Sequence, residues 1–195
     1  LEPVFALLKG KVQIPVSVDT FYPEVAERAL EAGADIINDV TGFARQEMFS
    51  LAKQYDCGCI IMHDQPRFET IRPFFARQLE KAVQFGLSPE QVCFDPGVGF
   101  GKTYEENLRI VGELKTLLIP GTAMLVGASR KRVIGQPCGN PPFTERLPGT
   151  IAAHTLAIAG GADIIRVHDV AEAVQAVRVA DAVLQETRSR AQDSE

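Results

Sequence analysis

Short apolar runs rich in valine and isoleucine recur along the chain, separated by segments in which apolar residues return every three or four positions. The runs are QIPVSVDT, ADIINDV, CGCIIMHD, QVCFDPGVG, TAMLVGASRK and ADIIRVHDV. Each has strand length and is apolar over consecutive residues, the pattern of a strand buried on both faces. The intervening periodicity predicts helices over Pro23–Ala32, Gln46–Tyr55, Glu69–Phe85, Tyr104–Leu118, Gly149–Ala159 and Val170–Thr187. Strands therefore alternate with helices along the chain.

Local signals mark where several of these helices begin and end. In Tyr104–Leu118 the residues Leu108, Val111, Leu114, Leu117 and Leu118 form an apolar stripe, and Thr103 with Glu106 has the spacing of a capping box. Pro23 suits a first helical turn, where its missing N–H costs nothing. Gly33, Gly86 and Gly160 stand where helices should stop in a left-handed cap.

Strict βα alternation implies parallel strands joined by right-handed crossovers, in an open doubly wound sheet or a closed barrel. Each run ends in polar residues: Asp19, Asn38, His63, Asp95, Lys131, and Arg166 with His168. Chemistry at the end of every strand favours a barrel, whose βα loops all face one mouth, over an open sheet with one switch point. The glycines of DPGVGFGK are spaced G-x-G-x-G, which is no dinucleotide fingerprint, and Gly101–Lys102–Thr103 lacks the upstream glycine of a P-loop.

At 195 residues, 46% hydrophobic and 23% charged, the chain can bury a core as a single domain over residues 1–195 without disulfides or structural metal. A net charge of −5 offers no broad basic face for nucleic acid. No apolar stretch approaches the roughly 18 residues of a membrane span, and no signal-peptide pattern opens the chain, so a cytoplasmic protein is expected. Cys57 and Cys59 fall in phase with His63, but C-x-C is a poor zinc spacing. Small buried thiols in a reducing cytosol are the expected reading, Cys93 and Cys138 being the other two cysteines.

Asp19 closes PVSVD with Ser17 in phase, and Asp95 closes VCFD with Cys93 in phase, which turns both carboxylates toward one mouth. An aspartate after a strand also serves as a cap or turn residue. Asp95 with Asn38 is the sharper pair. A carboxylate that accepts two N–H groups, beside an amide that donates and accepts, reads the edge of an aminopyrimidinone. RVHD sets Arg166 and His168 on one face, a cationic pair on which a phosphate or diphosphate can rest; for His168 the bland alternative is a bond to Asp169. In SRKR, Lys131 with Arg130 and Arg132 follows a strand and leads into a helical segment, which favours anion recognition, and Gly127 lets a ligand approach the backbone closely.

VDT, IIND, MHDQ, FDPGVGFGK, LVGASRK and IIRVHDV stand in the order expected of dihydropteroate synthases, and the chain resembles that family from about Gln13 to Val170 and on through the last helix. The resemblance implies an α/β fold of (β/α)8 TIM-barrel type. It implies a cytoplasmic transferase of folate biosynthesis that condenses 6-hydroxymethyl-7,8-dihydropterin diphosphate with p-aminobenzoate and releases diphosphate. By that resemblance Asp95 and Asn38, with Lys131, hold the pterin's hydrogen-bonding edge, and Asp19 lines the same pocket. Arg166 stacks on the pterin plane and, with His168, holds the diphosphate. Phe100 and Lys131 border the p-aminobenzoate side. Met62 and Gly127 complete the substrate-binding set, and Lys131, Arg166 and His168 carry the catalysis. A homodimer through the later helices and a requirement for Mg2+ are also implied.

Family barrels open with two further βα units, one bearing the loop asparagine that coordinates magnesium. LEPVFALLKGKV reads as the tail of the second helix, so the expectation is an incomplete barrel with about six of eight βα units. Two open sheet edges would leave such a chain poorly stable alone or prone to associate, and without the first two loops it is expected to give no turnover by itself. The loop after MHDQP is shorter than the family pattern, and Arg132 stands where the family often has a serine. Two alternatives share these motifs: a pterin-binding homologue without catalytic activity, and a methyltetrahydrofolate-dependent methyltransferase barrel, against which SRK and RVHD count.

Overall fold

The computed structural model describes residues 2–8 and 10–192, so Leu1 and Lys9 of LEPVFALLKGKV lie outside the described residues. The chain packs as two compact units. The first runs through Gln65 and adds Glu69–Gly97 and Ile119–Ala123. It contains α1 (Glu2–Leu8), β1 (Ser17–Asp19), α2 (Pro23–Glu31), β2 (Ile36–Asp39), α3 (Glu47–Gln54), β3 (Gly58–Met62), α4 (Ile71–Gln84) and β4 (Val92–Asp95).

Strands β1 to β4 pair in chain order, and every pairing is parallel. The register sets Asp19 beside Asn38 and Met62 beside Asp95. The polar strand ends therefore share one edge of the unit. β3 and β4 are buried nearly throughout, as their unbroken apolar runs require. β1 differs, for only Val18 is buried while Ser17 and Asp19 are exposed, because it is paired through β2 alone within this unit. Ile37, Ile61 and Phe94 fill the core with Phe43, Phe49 and Phe75. Phe75 stacks on Phe94 at 4.4 Å and Phe43 meets Phe49 at 5.0 Å, contacts that add to the burial of large rings.

The second unit takes Pro66–Phe68, Val98–Leu118 and the chain from Met124 onward. It holds α5 (Tyr104–Gly112), all but the first residue of β5 (Ala123–Val126), α6 (Arg132–Gly135), α7 (Leu147–Ala159), β6 (Ile164–Ile165) and α8 (Val170–Gln192). β5 and β6 are parallel, and Asp163 caps the start of that pairing by accepting the Met124 N–H at 2.8 Å. The α/β class and six βα units of (β/α)8 type agree with the alternation in the sequence. Among the described residues no helix is long and apolar enough to cross a membrane. Four valines of α8, at 170, 174, 179 and 183, are exposed.

Two sequence expectations are corrected here. The helix expected over Tyr104–Leu118 ends at Gly112 and continues as a 3-10 turn over Leu114–Leu117. Within α5 the buried face is Asn107, Ile110 and Val111, which leaves Leu108 exposed, and the 3-10 turn then buries Leu114 and Leu117. The left-handed cap after α7 lies at Gly161 (φ 100°) rather than Gly160 (φ −78°), whereas Gly33 and Gly86 take positive φ as expected.

The capping box of α5 is complete: the Glu106 N–H donates to Thr103 Oγ1 at 3.2 Å and the Thr103 N–H donates to Glu106 Oε2 at 2.7 Å. Replacing Thr103→Ala should cost about 1 kcal/mol and Thr103→Ser far less. Urea melts of the two variants check this.

Candidate functional site

In the first unit the site residues stand at the ends of successive parallel strands. Asp19 is exposed at the end of β1, Asn38 is half-buried on β2, Met62 is buried on β3 and Asp95 is half-buried on β4. Asp95 Oδ1 accepts the Gly97 N–H at 2.7 Å, so this carboxylate also shapes the turn that follows it. The backbone around it is fixed by the His63 N–H, which donates to the Asp95 carbonyl at 2.9 Å.

Asp39, next to Asn38, was not singled out by the sequence, yet it organises the loop after β2. Its carboxylate accepts the Thr41 N–H and O–H, both at 2.7 Å, and the Phe43 N–H at 3.0 Å. These bonds hold Phe43 at a left-handed φ of 57°, an unfavourable conformation for a residue with a Cβ. Burial pushes the Asp39 carboxyl above its usual range despite those bonds, and the negative charge of Asp64 adds to the rise.

His63 is buried, with Nε2 3.1 Å from Thr70 Oγ1 and its ring edge-on to Phe74. Cys57, Cys59 and Cys93 are buried free thiols and Cys138 is exposed. Burial raises Cys57 to about 11 and Cys59 higher still, which makes both poor thiolate ligands. Among the described residues no group of three or more His, Cys, Asp or Glu is placed to hold a metal ion.

The cationic residues belong to the second unit. Lys131 Nζ donates to the Val98 carbonyl at 2.6 Å and lies 4.7 Å from the centroid of the Phe100 ring. The lysine and the aromatic face of the GFGK loop are thus brought together, with Gly99 leaving room for the lysine stem. Arg166 follows β6 and is exposed; a Cβ built on buried Gly127 would lie 3.6 Å from its Cβ. Gly127 therefore fronts the arginine side chain.

His168 does not bond Asp169. Ser129, buried behind it, accepts the His168 N–H at 3.2 Å and lies 2.8 Å from Nδ1. The serine thus holds the His168 backbone and one edge of its ring together, with Nε2 on the opposite edge. Asp169 pairs instead with Arg130, bidentately, through Nε at 2.9 Å and through Nη2. Of the three cations in SRKR, Arg130 is thus committed to an internal ion pair, which raises its own pKa chiefly through that hydrogen bond. Arg132 is exposed at the first position of α6.

His154 was also missed by the sequence, where it is one polar letter in an apolar helix. It is buried, and Nε2 accepts the Ala128 N–H at 3.1 Å. Burial, with Lys131 adding a smaller repulsion, lowers its pKa to about 4, so the ring is neutral near pH 7.

A sequence profile described as pterin binding enzyme matches residues 1–168. The dihydropteroate synthase of Synechocystis sp. is 40% identical over 195 residues, an alignment that covers 93% of this chain and 68% of that one. The crystal structure of dihydropteroate synthase from Clostridium difficile in the presence of pteroic acid superposes with a TM-score of 0.87 at 41% identity, covering 93% of this chain and 72% of that one. The Thermus thermophilus enzyme in complex with 4-aminobenzoate gives 0.88 at 36% identity, covering 94% and 80%.

The His154 pKa carries a stability consequence. Between about 4 and the ordinary 6.5 the unfolded chain binds a proton that the folded chain refuses, so stability rises with pH across that window and is lost on acidification. The His154→Gln variant keeps an acceptor for Ala128 but does not titrate. Its acid-side loss of stability should be smaller by up to about 3 kcal/mol, read from denaturant melts at pH 4 and pH 7.

Proposed function

Because the chain belongs to the dihydropteroate synthase family of pterin-binding enzymes, we propose that its strand-end residues perform the family's condensation of a 6-hydroxymethyl-dihydropterin diphosphate with p-aminobenzoate. The C–O bond to diphosphate breaks, a C–N bond to the arylamine forms, and the amine gives up a proton. Diphosphate leaves with the electron pair, so groups that meet its growing negative charge supply most of the acceleration.

In this reading Asp95 and Asn38 take the donors and acceptors of the pterin edge, with Asp19 and Met62 lining the same pocket. Arg166 lies along the pterin plane, with Gly127 giving it room. Arg166 and His168 hold the diphosphate, and Lys131 contributes an ammonium shared between the pterin edge and the p-aminobenzoate side beside Phe100. The observation that carries the reading is the buried Ser129 hydroxyl 2.8 Å from His168 Nδ1, which fixes the ring and leaves its opposite edge, Nε2, for an anion. Positioning does the remaining work on the weakly basic amine.

A single pterin-binding domain, a cytoplasmic location and a homodimer form part of the proposal, the last supported by the exposed valines of α8. Magnesium fits the family's chemistry as a partner of diphosphate oxygens, but the described side chains do not form a protein-held site for it, and no step here runs through it.

Replacing Arg166→Ala, His168→Ala or Lys131→Ala should each lower kcat/KM about a hundredfold or more, with folding intact. Dihydropteroate formed and diphosphate released in equal amounts are the quantities to measure. Pterin binding without either product would identify a non-catalytic homologue instead.

A further inference from the structure

Arg146, Thr150 and His154 recur every fourth residue, from the N-cap of α7 along one face of the helix, and each bonds the backbone of the turn after β5. His154 Nε2 accepts the Ala128 N–H at 3.1 Å. Thr150 Oγ1 accepts the Arg130 N–H at 2.9 Å and donates to the Arg146 carbonyl at 2.8 Å. Arg146 donates from Nη1 to the carbonyls of Arg130 at 3.1 Å and Lys131 at 3.4 Å, and from Nε to that of Pro141 at 2.9 Å. Three successive turns of one helix thus engage the backbone of residues 128, 130 and 131.

The turn needs such holding. Arg130 has φ 56°, a left-handed conformation that costs a residue with a Cβ roughly 1–2 kcal/mol. Strain of this kind persists where surrounding structure over-determines it, and it gathers at functional sites. Here its N–H, its carbonyl and its guanidinium are all taken, by Thr150, Arg146 and Asp169. The residues on either side of it are Ser129, which holds His168, and Lys131, which meets Phe100.

We propose that Arg146, Thr150 and His154 are positioning residues that hold Arg130 left-handed and thereby aim Lys131 and Ser129. The proposal rests on the reading of Lys131 and His168 as machinery of the condensation. A ladder that only fastened α7 would stabilise the fold without acting through Lys131.

Two measurements on the folded protein separate these roles. In the first, acetic anhydride at limiting concentration acetylates the lysines, and mass spectrometry reads each rate. Thr150→Val should change the Lys131 rate severalfold against Lys53, Lys81 and Lys115, and Thr150→Ser should restore it; an unchanged Lys131 rate overturns the proposal. In the second, kcat/KM is measured for Thr150→Val, Lys131→Ala and the double variant. Positioning that acts in part through Lys131 predicts about a tenfold loss in Thr150→Val and a double variant whose loss is well below the product of the two single losses. Losses that multiply overturn it. Should Thr150→Val fail to fold, His154→Leu and His154→Gln give the same contrast between a lost and a retained acceptor. A wild-type protein that makes no dihydropteroate would remove the proposed function, and the acetylation rates would still decide the ladder.

Discussion

Arg130 sits in a left-handed conformation between Ser129 and Lys131, and the proposed cationic half of the site depends on that backbone being held. An isolated turn of this sequence would relax toward negative φ, carrying Lys131 and Ser129 with it. It is prevented by bonds from two helices: Arg146 and Thr150 of α7 grip the backbone, and Asp169, just before α8, grips the side chain. In the first unit buried Asp39, which follows Asn38, likewise holds Phe43 left-handed. In both units a strained residue is fixed by polar groups of the protein itself.

This arrangement separates the tasks of neighbouring charged residues. Arg130 is neutralised within the protein by Asp169, while Lys131 bonds a carbonyl and faces an aromatic ring. Arg166 is exposed, and Gly127 leaves room beside its side-chain stem. The charge available for an anion is therefore smaller than the basic run SRKR suggests, and better aimed.

Much of the fold was legible because it is written locally. Unbroken apolar runs marked β2 to β4, and Thr103 with Glu106 marked the start of α5, whereas β6 ends at Ile165 and the strand phase expected of Arg166 and His168 does not reach them. What was not legible depends on partners far away in sequence. Ser129 bonds His168 and Arg130 bonds Asp169, each across 39 residues, and no local pattern distinguishes these from bonds to a neighbour. Asp39, beside Asn38, and His154, in a largely apolar helix, gave no local signal, since burial and partners are properties of packing. The misjudged end of α5 has a local cause: Gly112 weakens the α period and the leucines that follow bury themselves in a 3-10 turn instead.

The central claim is that the cations of the second unit receive the departing diphosphate. Calorimetric titration with inorganic diphosphate, in the presence and absence of the pterin diphosphate, tests it most directly. The account predicts that diphosphate binds, that the pterin diphosphate competes with it, and that Arg166→Ala weakens it at least tenfold. Diphosphate that fails to bind, or that binds equally well to Arg166→Ala, would contradict the account.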